Sequence, residues 1–156
     1  MSMDLFAKAE NLISHNEDQA DFHGPQPPEL IATAEQRLGL AFPPSYRAFL
    51  SRYGCGDIAG AEFFGLIDDD FESSSAPDAV WLTLNERRES NLPQPLVLIA
   101  ATGDGGYYAI DTTHVDGSGE SPVVICGPDG SGLTPVAPNF GEFAFQSIRD
   151  ALSNES

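Results

Sequence analysis

Residues 31–65, IATAEQRLGLAFPPSYRAFLSRYGCGDIAGAEFFG, decide the fold. The stretch reads as a short helix, a glycine stop, a Phe-Pro-Pro hinge, a second helix, a Gly-Cys-Gly stop and a strand. Pro28 fits the first turn of the first helix, where a missing N–H costs nothing. Gly39 follows Leu38, where a helix needs a left-handed residue to end. Pro43 and Pro44 forbid continuation and start the second helix, which Gly54 and Gly56 close. Within that helix Tyr46, Phe49, Leu50 and Tyr53 follow the i, i+3, i+4, i+7 spacing of a core-facing stripe. Arg47 and Arg52 fall off the stripe and are expected in solvent.

Working outward, residues 3–15 have the period of an amphipathic helix, with Leu5, Ala9, Leu12 and Ile13 on one side. Residues 16–27 are polar and proline-bearing and predict a loop. The helix from Pro28 sets Leu30, Ala34 and Leu38 at fourfold spacing with Ile31 beside them. Ile58 to Leu66 predicts one strand, bent at Gly60 and Gly65. Residues 68–76 are acidic and serine-rich and predict an exposed loop. Asp78 opens a helix through Asn91, with Val80 and Leu84 inward and Arg87 and Arg88 near its C-terminal end, where the helix dipole favours cations. Pro93 and Pro95 force an extended entry into a strand over 96–101. The turn Gly103-Asp104-Gly105-Gly106 returns the chain through a second strand over 107–111, a hairpin signal. Short strands follow over 122–126 and 134–137, separated by the turn Gly127-Pro128-Asp129-Gly130. A closing helix turns Phe140, Phe143, Ala144, Ile148 and Leu152 inward. Strands joined by turns and flanked by helices predict an α+β fold: a single domain with an antiparallel sheet of about four to six strands and N-terminal, middle and C-terminal helices.

This order of elements resembles the SUKH superfamily, which includes fungal cell-wall-assembly regulators and bacterial immunity proteins against polymorphic toxins. The resemblance rests on Glu35, Leu38 and Gly39, then Pro43, Tyr46, Phe49 and Leu50, then Tyr53, Gly54 and Gly56, then Gly65. Two further segments match in order: LVLIAATGDGGYYAIDT (96–112) as the family's strand–turn–strand hairpin and PNFGEFAFQSIRDAL (138–152) as its closing helix. The domain expected from the resemblance runs over 1–156, with an N-terminal helix and loop (1–27), a family-like core (28–152) and a short tail (153–156). These residues shape backbone and core rather than perform chemistry, so they specify fold more than function.

Composition bounds what remains. A chain of 156 residues buries roughly 70% of its unfolded surface and needs no disulfide staples. Cys55 and Cys126 are too few for a disulfide framework or a zinc site. The longest apolar run, 96–101, is far short of the ~20 residues a membrane span requires. The N-terminus carries Asp4 and Glu10 and lacks the cationic start and long apolar stretch of a signal peptide. A reduced, cytoplasmic protein is expected.

Charge is the second informative feature. Seven Lys and Arg stand against 24 Asp and Glu, a net charge of −17. No Lys or Arg occurs between Arg52 and Arg87, whereas Asp57, Glu62, Asp68, Asp69, Asp70, Glu72, Asp78 and Glu86 do. The pattern repeats between Arg88 and Arg149, with Asp104, Asp111, Asp116 and Glu120 among the acids. Such a surface repels nucleic acids and anionic membranes and attracts basic partners. Acidity that serves only solubility explains the net charge equally well, but explains the cluster at 68–72 less well.

No segment assembles a catalytic apparatus. Asp68-Asp69-Asp70-Phe71-Glu72 lacks the alternating spacing of a calcium loop, and consecutive side chains cannot all face one ion, so no metal is expected. The glycine turn at 103–106 lacks the Gly-Lys-Ser/Thr ending and the following helix of a phosphate loop. Cys55 sits at a helix C-terminus, where the dipole disfavours a thiolate. His15, His23 and His114 lie in polar surroundings with no coupled nucleophile, and Trp81 reads as a core or edge anchor rather than a ligand platform. No catalytic residue, cofactor or metal is therefore assigned. The resemblance implies a non-enzymatic binding module, first an immunity protein neutralising a basic, nuclease-type toxin. The expected contact residues are Asp57, Glu62, Asp68, Asp69, Asp70 and Glu72, with Phe71 as an aromatic anchor. The alternatives are a regulatory or scaffolding module without a toxin and, third, a small metal-dependent hydrolase.

Overall fold

The computed structural model describes residues 2–71, 78–127 and 132–154. Helix α1 (Ser2–Ser14) is followed by a 3-10 turn (Glu17–Gln19) and strand β1 (Ala20–Phe22). Helices α2 (Pro28–Leu38) and α3 (Pro44–Tyr53) lead into strands β2 (Gly56–Ile58) and β3 (Ala61–Phe63). Helix α4 (Ala79–Glu89) precedes strands β4 (Leu96–Ala101), β5 (Tyr107–Asp111), β6 (Val123–Cys126) and β7 (Thr134–Ala137), and helix α5 (Phe140–Ser153) closes the chain. The arrangement is α+β, but the expected sheet is divided in two. β1-β2-β3 and β4-β5-β6-β7 are separate antiparallel sheets, joined where Phe64 N–H donates to the Ile99 carbonyl at 2.7 Å.

The helix boundaries follow the punctuation. Pro28 and Pro44 occupy the first turns of α2 and α3, each after an extended proline. Gly39 ends α2 at φ 73° and Gly54 ends α3 at φ 75°, a region that costs an L-residue energy. The hinge between them is held by Glu35, whose Oε2 accepts from Phe42 N–H at 2.7 Å and from Arg47 Nη2 at 2.8 Å. Arg47 and Arg52 are exposed as expected, yet neither is only solvated: Arg52 pairs with Glu10 of α1. Gly65 serves a different end. A Cβ there would lie 1.7 Å from the Gly54 carbonyl oxygen, the same oxygen that accepts from Leu66 N–H at 2.9 Å. The chain leaving β3 therefore rests directly on the end of α3.

Two departures come from short elements. The single strand expected over 58–66 is a hairpin, turned by Ala59 (φ 53°) and Gly60 (φ 93°). Positive φ at both central residues is the type I′ turn that matches strand twist, and an alanine at the first position hid it. The loop expected over 16–27 contains β1, three residues without a readable period.

The larger core gathers the aromatic stripe. Tyr46, Phe49, Phe63 and Phe140 are all buried, and the Tyr46 and Phe140 rings meet edge to face with centroids 5.0 Å apart. Such pairs add ~0.5–1.5 kcal/mol beyond burial. Tyr46 Oη donates to the Phe64 carbonyl at 2.8 Å, and burial drives its phenol pKa well above the ordinary value. α1 packs along α5, with the Phe6 ring against Phe140, and buries Phe6, Ala9 and Ile13; Phe6, which stands outside the stripe expected for α1, is 1% exposed. A second cluster gathers Phe64, Ala79, Leu82, Leu92, Val124 and Cys126. β4 divides the two, sending Val97 and Ile99 to the larger core and Leu96 and Leu98 to the smaller. This explains its unbroken apolar run.

Candidate functional site

The three-stranded sheet has one face on the core and one in solvent. Register pairs Asp21 with Asp57 and Asp57 with Glu62. Directly opposed residues share a face with Cβ atoms about 4.5–5.5 Å apart, so three carboxylates stand in a row across the sheet. On the other face Ile58 and Phe63 are buried, with Phe22 packed against them. The type I′ turn at Ala59-Gly60 fixes which residues face out, because a one-residue slip would exchange the faces. His23 N–H donates to the Cys55 carbonyl at 2.8 Å and Ala59 N–H to the Gln19 carbonyl at 3.0 Å, locking β1 in place. Among the described residues none of the three carboxylates enters an ion pair. Like charges directly opposed destabilise a sheet, so this row lowers stability. Asp57 and Glu62 were legible in the sequence as candidate contacts but Asp21 was not, since only the pairing of β1 brings it there.

Beyond β3 the chain runs through Phe64 to Ile67 before Asp68, Asp69 and Asp70, all exposed. Asp70 N–H donates to Asp68 Oδ1 at 2.9 Å, which closes a local turn. The start of this loop is pinned from outside: Gln26 Nε2 donates to the carbonyls of Leu66 (3.0 Å) and Ile67 (3.1 Å). Phe71 does not fit its expected role as an anchor. It is 3% exposed, packed in the larger core, with the Arg37 guanidinium 5.9 Å from its ring centroid. A hydrophobic ring within a polar stretch gains more by burial than by exposure. Glu72 lies outside the described residues.

Several acids counted as surface charge are structural. Glu120 is 1% exposed and binds Ser45 near the N-terminus of α3. The Ser45 hydroxyl in turn accepts from Gly141 N–H at 3.0 Å, in the first turn of α5. Asp111, also buried, accepts from the Thr113 hydroxyl at 2.6 Å and its N–H at 3.1 Å. Asp78 is fully buried and caps α4 by accepting from Trp81 N–H at 2.9 Å. Burial pushes its carboxyl up to about 6, against backbone N–H groups of Trp81, Ile67 and Val80 that pull it down, with the Asp68 charge adding to the rise.

The remaining chemistry-bearing residues are quiet. Cys55 is buried, and burial chiefly, then the charges of Asp78 and Glu62, push its thiol up to about 11. Cys126 is a buried free thiol. His15, His23 and His114 are exposed. The glycine turn at 103–106 closes a hairpin, with Thr102 N–H donating to the Gly106 carbonyl at 3.1 Å. Trp81 packs against the smaller core. Among the described residues no group of three His, Cys, Asp or Glu side chains is placed to hold a metal ion, and no helix is long and apolar enough to cross a membrane. What the arrangement presents to a second molecule is a face of carboxylates.

A family model described as SMI1-KNR4 cell-wall, SUKH_6, matches residues 28–143. The match runs from the first turn of α2 into α5, well over half of the chain, and takes in Asp57, Glu62 and Asp68–Asp70 while leaving Asp21 outside. Members are generally non-catalytic and of immunity or regulator type. The helix–hinge–helix–strand unit, the β4–β5 hairpin and the family match agree: the chain belongs to the SMI1-KNR4 cell-wall (SUKH) family of protein-interaction modules.

Proposed function

We propose that the protein is a non-enzymatic, cytoplasmic immunity protein that neutralises a basic toxin, of nuclease type, through its acidic face. The observation that carries this reading is the row Asp21, Asp57 and Glu62, which opposes like charges across a sheet and has no compensating cation among the described residues. A nuclease needs a cationic cleft for phosphates. A rigid row of carboxylates can occupy such a cleft, and complementary charge accelerates encounter in a salt-sensitive way. Asp68, Asp69 and Asp70 extend the contact surface; Phe71 is left out of it. The reading names a basic protein partner and excludes nucleic acid and membrane.

The test uses a toxin encoded directly upstream in the native genome. Replacing Asp21, Asp57 and Glu62 together by Lys is expected to weaken toxin binding by at least about a hundredfold and to flatten its salt dependence. Unchanged affinity and unchanged salt slope would refute the face assignment. The family description favours a second reading, a regulatory or scaffolding module of the cell-wall type without a toxin, which an isolated gene with no adjacent toxin supports. Robust turnover in a hydrolase screen with added divalent metal would overturn both.

A further inference from the structure

A hollow of about 420 Å³ opens between the first turns of α2 and the loop after β3. Its lining combines apolar Pro27, Leu30 and Ile67 with the carboxylates of Glu29 from α2 and of Asp68 and Asp69 from the loop. We propose that this hollow is a socket for one long cationic side chain, an arginine or lysine, presented by the partner. The proposal rests on the reading that the partner is a basic protein.

The two halves of the socket match the two halves of such a side chain. A lysine or arginine has an apolar stem that gains by covering apolar surface and a charged head that stays at the polar boundary. Here the stem would lie on Leu30 and Ile67, and the head would reach carboxylates arriving from two separate elements. Neither Glu29 nor Asp69 enters an ion pair among the described residues. Arg37 of α2 does not line the hollow; its guanidinium lies over the Phe71 ring. A bare metal ion fits less well. It requires a shell of oxygen ligands, whereas these residues form no metal-holding group and include apolar Pro27, Leu30 and Ile67. Arginine suits these carboxylates better than lysine, because its planar fork binds carboxylates in two places.

The socket is also organised in advance. Gln26 fixes the carbonyls of Leu66 and Ile67 on one side, and the bond from Asp70 N–H orients the Asp68 carboxylate on the other. A partner side chain therefore meets a loop already held in place, which reduces the ordering cost of binding.

The experiment is a titration of the isotope-labelled full chain with N-acetyl-argininamide, followed by amide chemical shifts, with the uncharged citrulline analogue as control. Saturable millimolar binding is expected, with shifts concentrated at Gln26, Leu30, Thr33, Ile67, Asp68 and Asp69 and absent for citrulline. Asp68→Asn with Asp69→Asn, both exposed, is expected to weaken it by about fivefold or more through loss of charge-assisted bonds. Shifts spread equally over Asp21, Asp57 and Glu62, or equal binding of citrulline, or no saturable binding, would each overturn the socket. Such a failure leaves the toxin reading standing, since charge reversal at the sheet row decides that one. Absence of any basic partner would sink the toxin reading, while the titration still decides the socket.

Discussion

The two carboxylate oxygens of Glu120 take the backbone N–H and the hydroxyl of Ser45, each at 2.9 Å, across 75 residues of sequence. A helix start usually borrows its cap from the residue just before it. α3 begins after Pro43, which has no side-chain acceptor to offer, so a carboxylate from the segment between β5 and β6 does the work. An anion there also meets the positive end of the helix dipole. Because Ser45 passes the connection on to Gly141, one buried carboxylate ties the starts of two helices to a loop.

Glu120→Ala is therefore expected to destabilise the fold by about 2–4 kcal/mol, since it strands a buried N–H and removes a cap. Glu120→Gln keeps one acceptor and is expected to cost about half as much. Urea unfolding monitored by tryptophan fluorescence reads both. Equal stability of all three proteins would show that the network contributes nothing.

Asp78 makes stability depend on pH. Its carboxyl has an ordinary value of 3.8 and is raised to about 6 in the fold, mainly by burial. Between those values the folded state holds more protons than the unfolded one, so the Asp78 contribution to stability falls as pH rises through the window. Asp78→Asn keeps an N-cap side chain but cannot ionise. Its stability relative to the native protein is expected to rise by up to about 3 kcal/mol between pH 4 and pH 7. Parallel stability curves for the two proteins would contradict this.

The carboxylate row trades stability for charge. Asp57→Asn, at its centre, is expected to stabilise the fold by about 0.5–1 kcal/mol at low salt by relieving two opposed like-charge pairs, with the gain shrinking as salt screens them. The same substitution should weaken binding to a basic partner. Loss of stability in the D57N variant would mean that Asp57 is held by a contact other than those described.

Ala59 stands at φ 53° in the first central position of a type I′ turn. Ala59→Asn creates the Asn-Gly pair that this turn favours and is expected to raise stability by about 1 kcal/mol. Thermal unfolding reads this as a higher midpoint. A lower midpoint would show that the alanine methyl packs where asparagine cannot.

Legibility in the sequence tracked how local each feature is. Proline and glycine positions gave the bounds of α2 and α3 because they act on their own backbone. The run from Leu96 to Ala101 was plain because both its faces are buried. Features set by partners distant in sequence were hidden. β1 is recognisable only by its pairing with β2, so Asp21 was missed. Glu120 and Asp111 looked like surface charge because nothing nearby reveals Ser45 or the packing around them. Phe71, expected as a partner anchor from its acidic neighbours, is in the core, where a phenyl ring ordinarily belongs. That Asp57 and Glu62 carry acidic surface was legible; that the sheet sets them beside Asp21 was not.

β4 separates two hydrophobic clusters and carries, at Ile99, the carbonyl that joins the two sheets. Neither cluster can lose this strand and keep its lining, so the halves of the molecule cannot melt independently. Unfolding should be one cooperative event, with the central β4 amides, Val97 and Leu98, exchanging their hydrogens only when the whole chain opens. Cleavage within β4 would then wait for global unfolding, and the lifetime of this strand would be set by one rate.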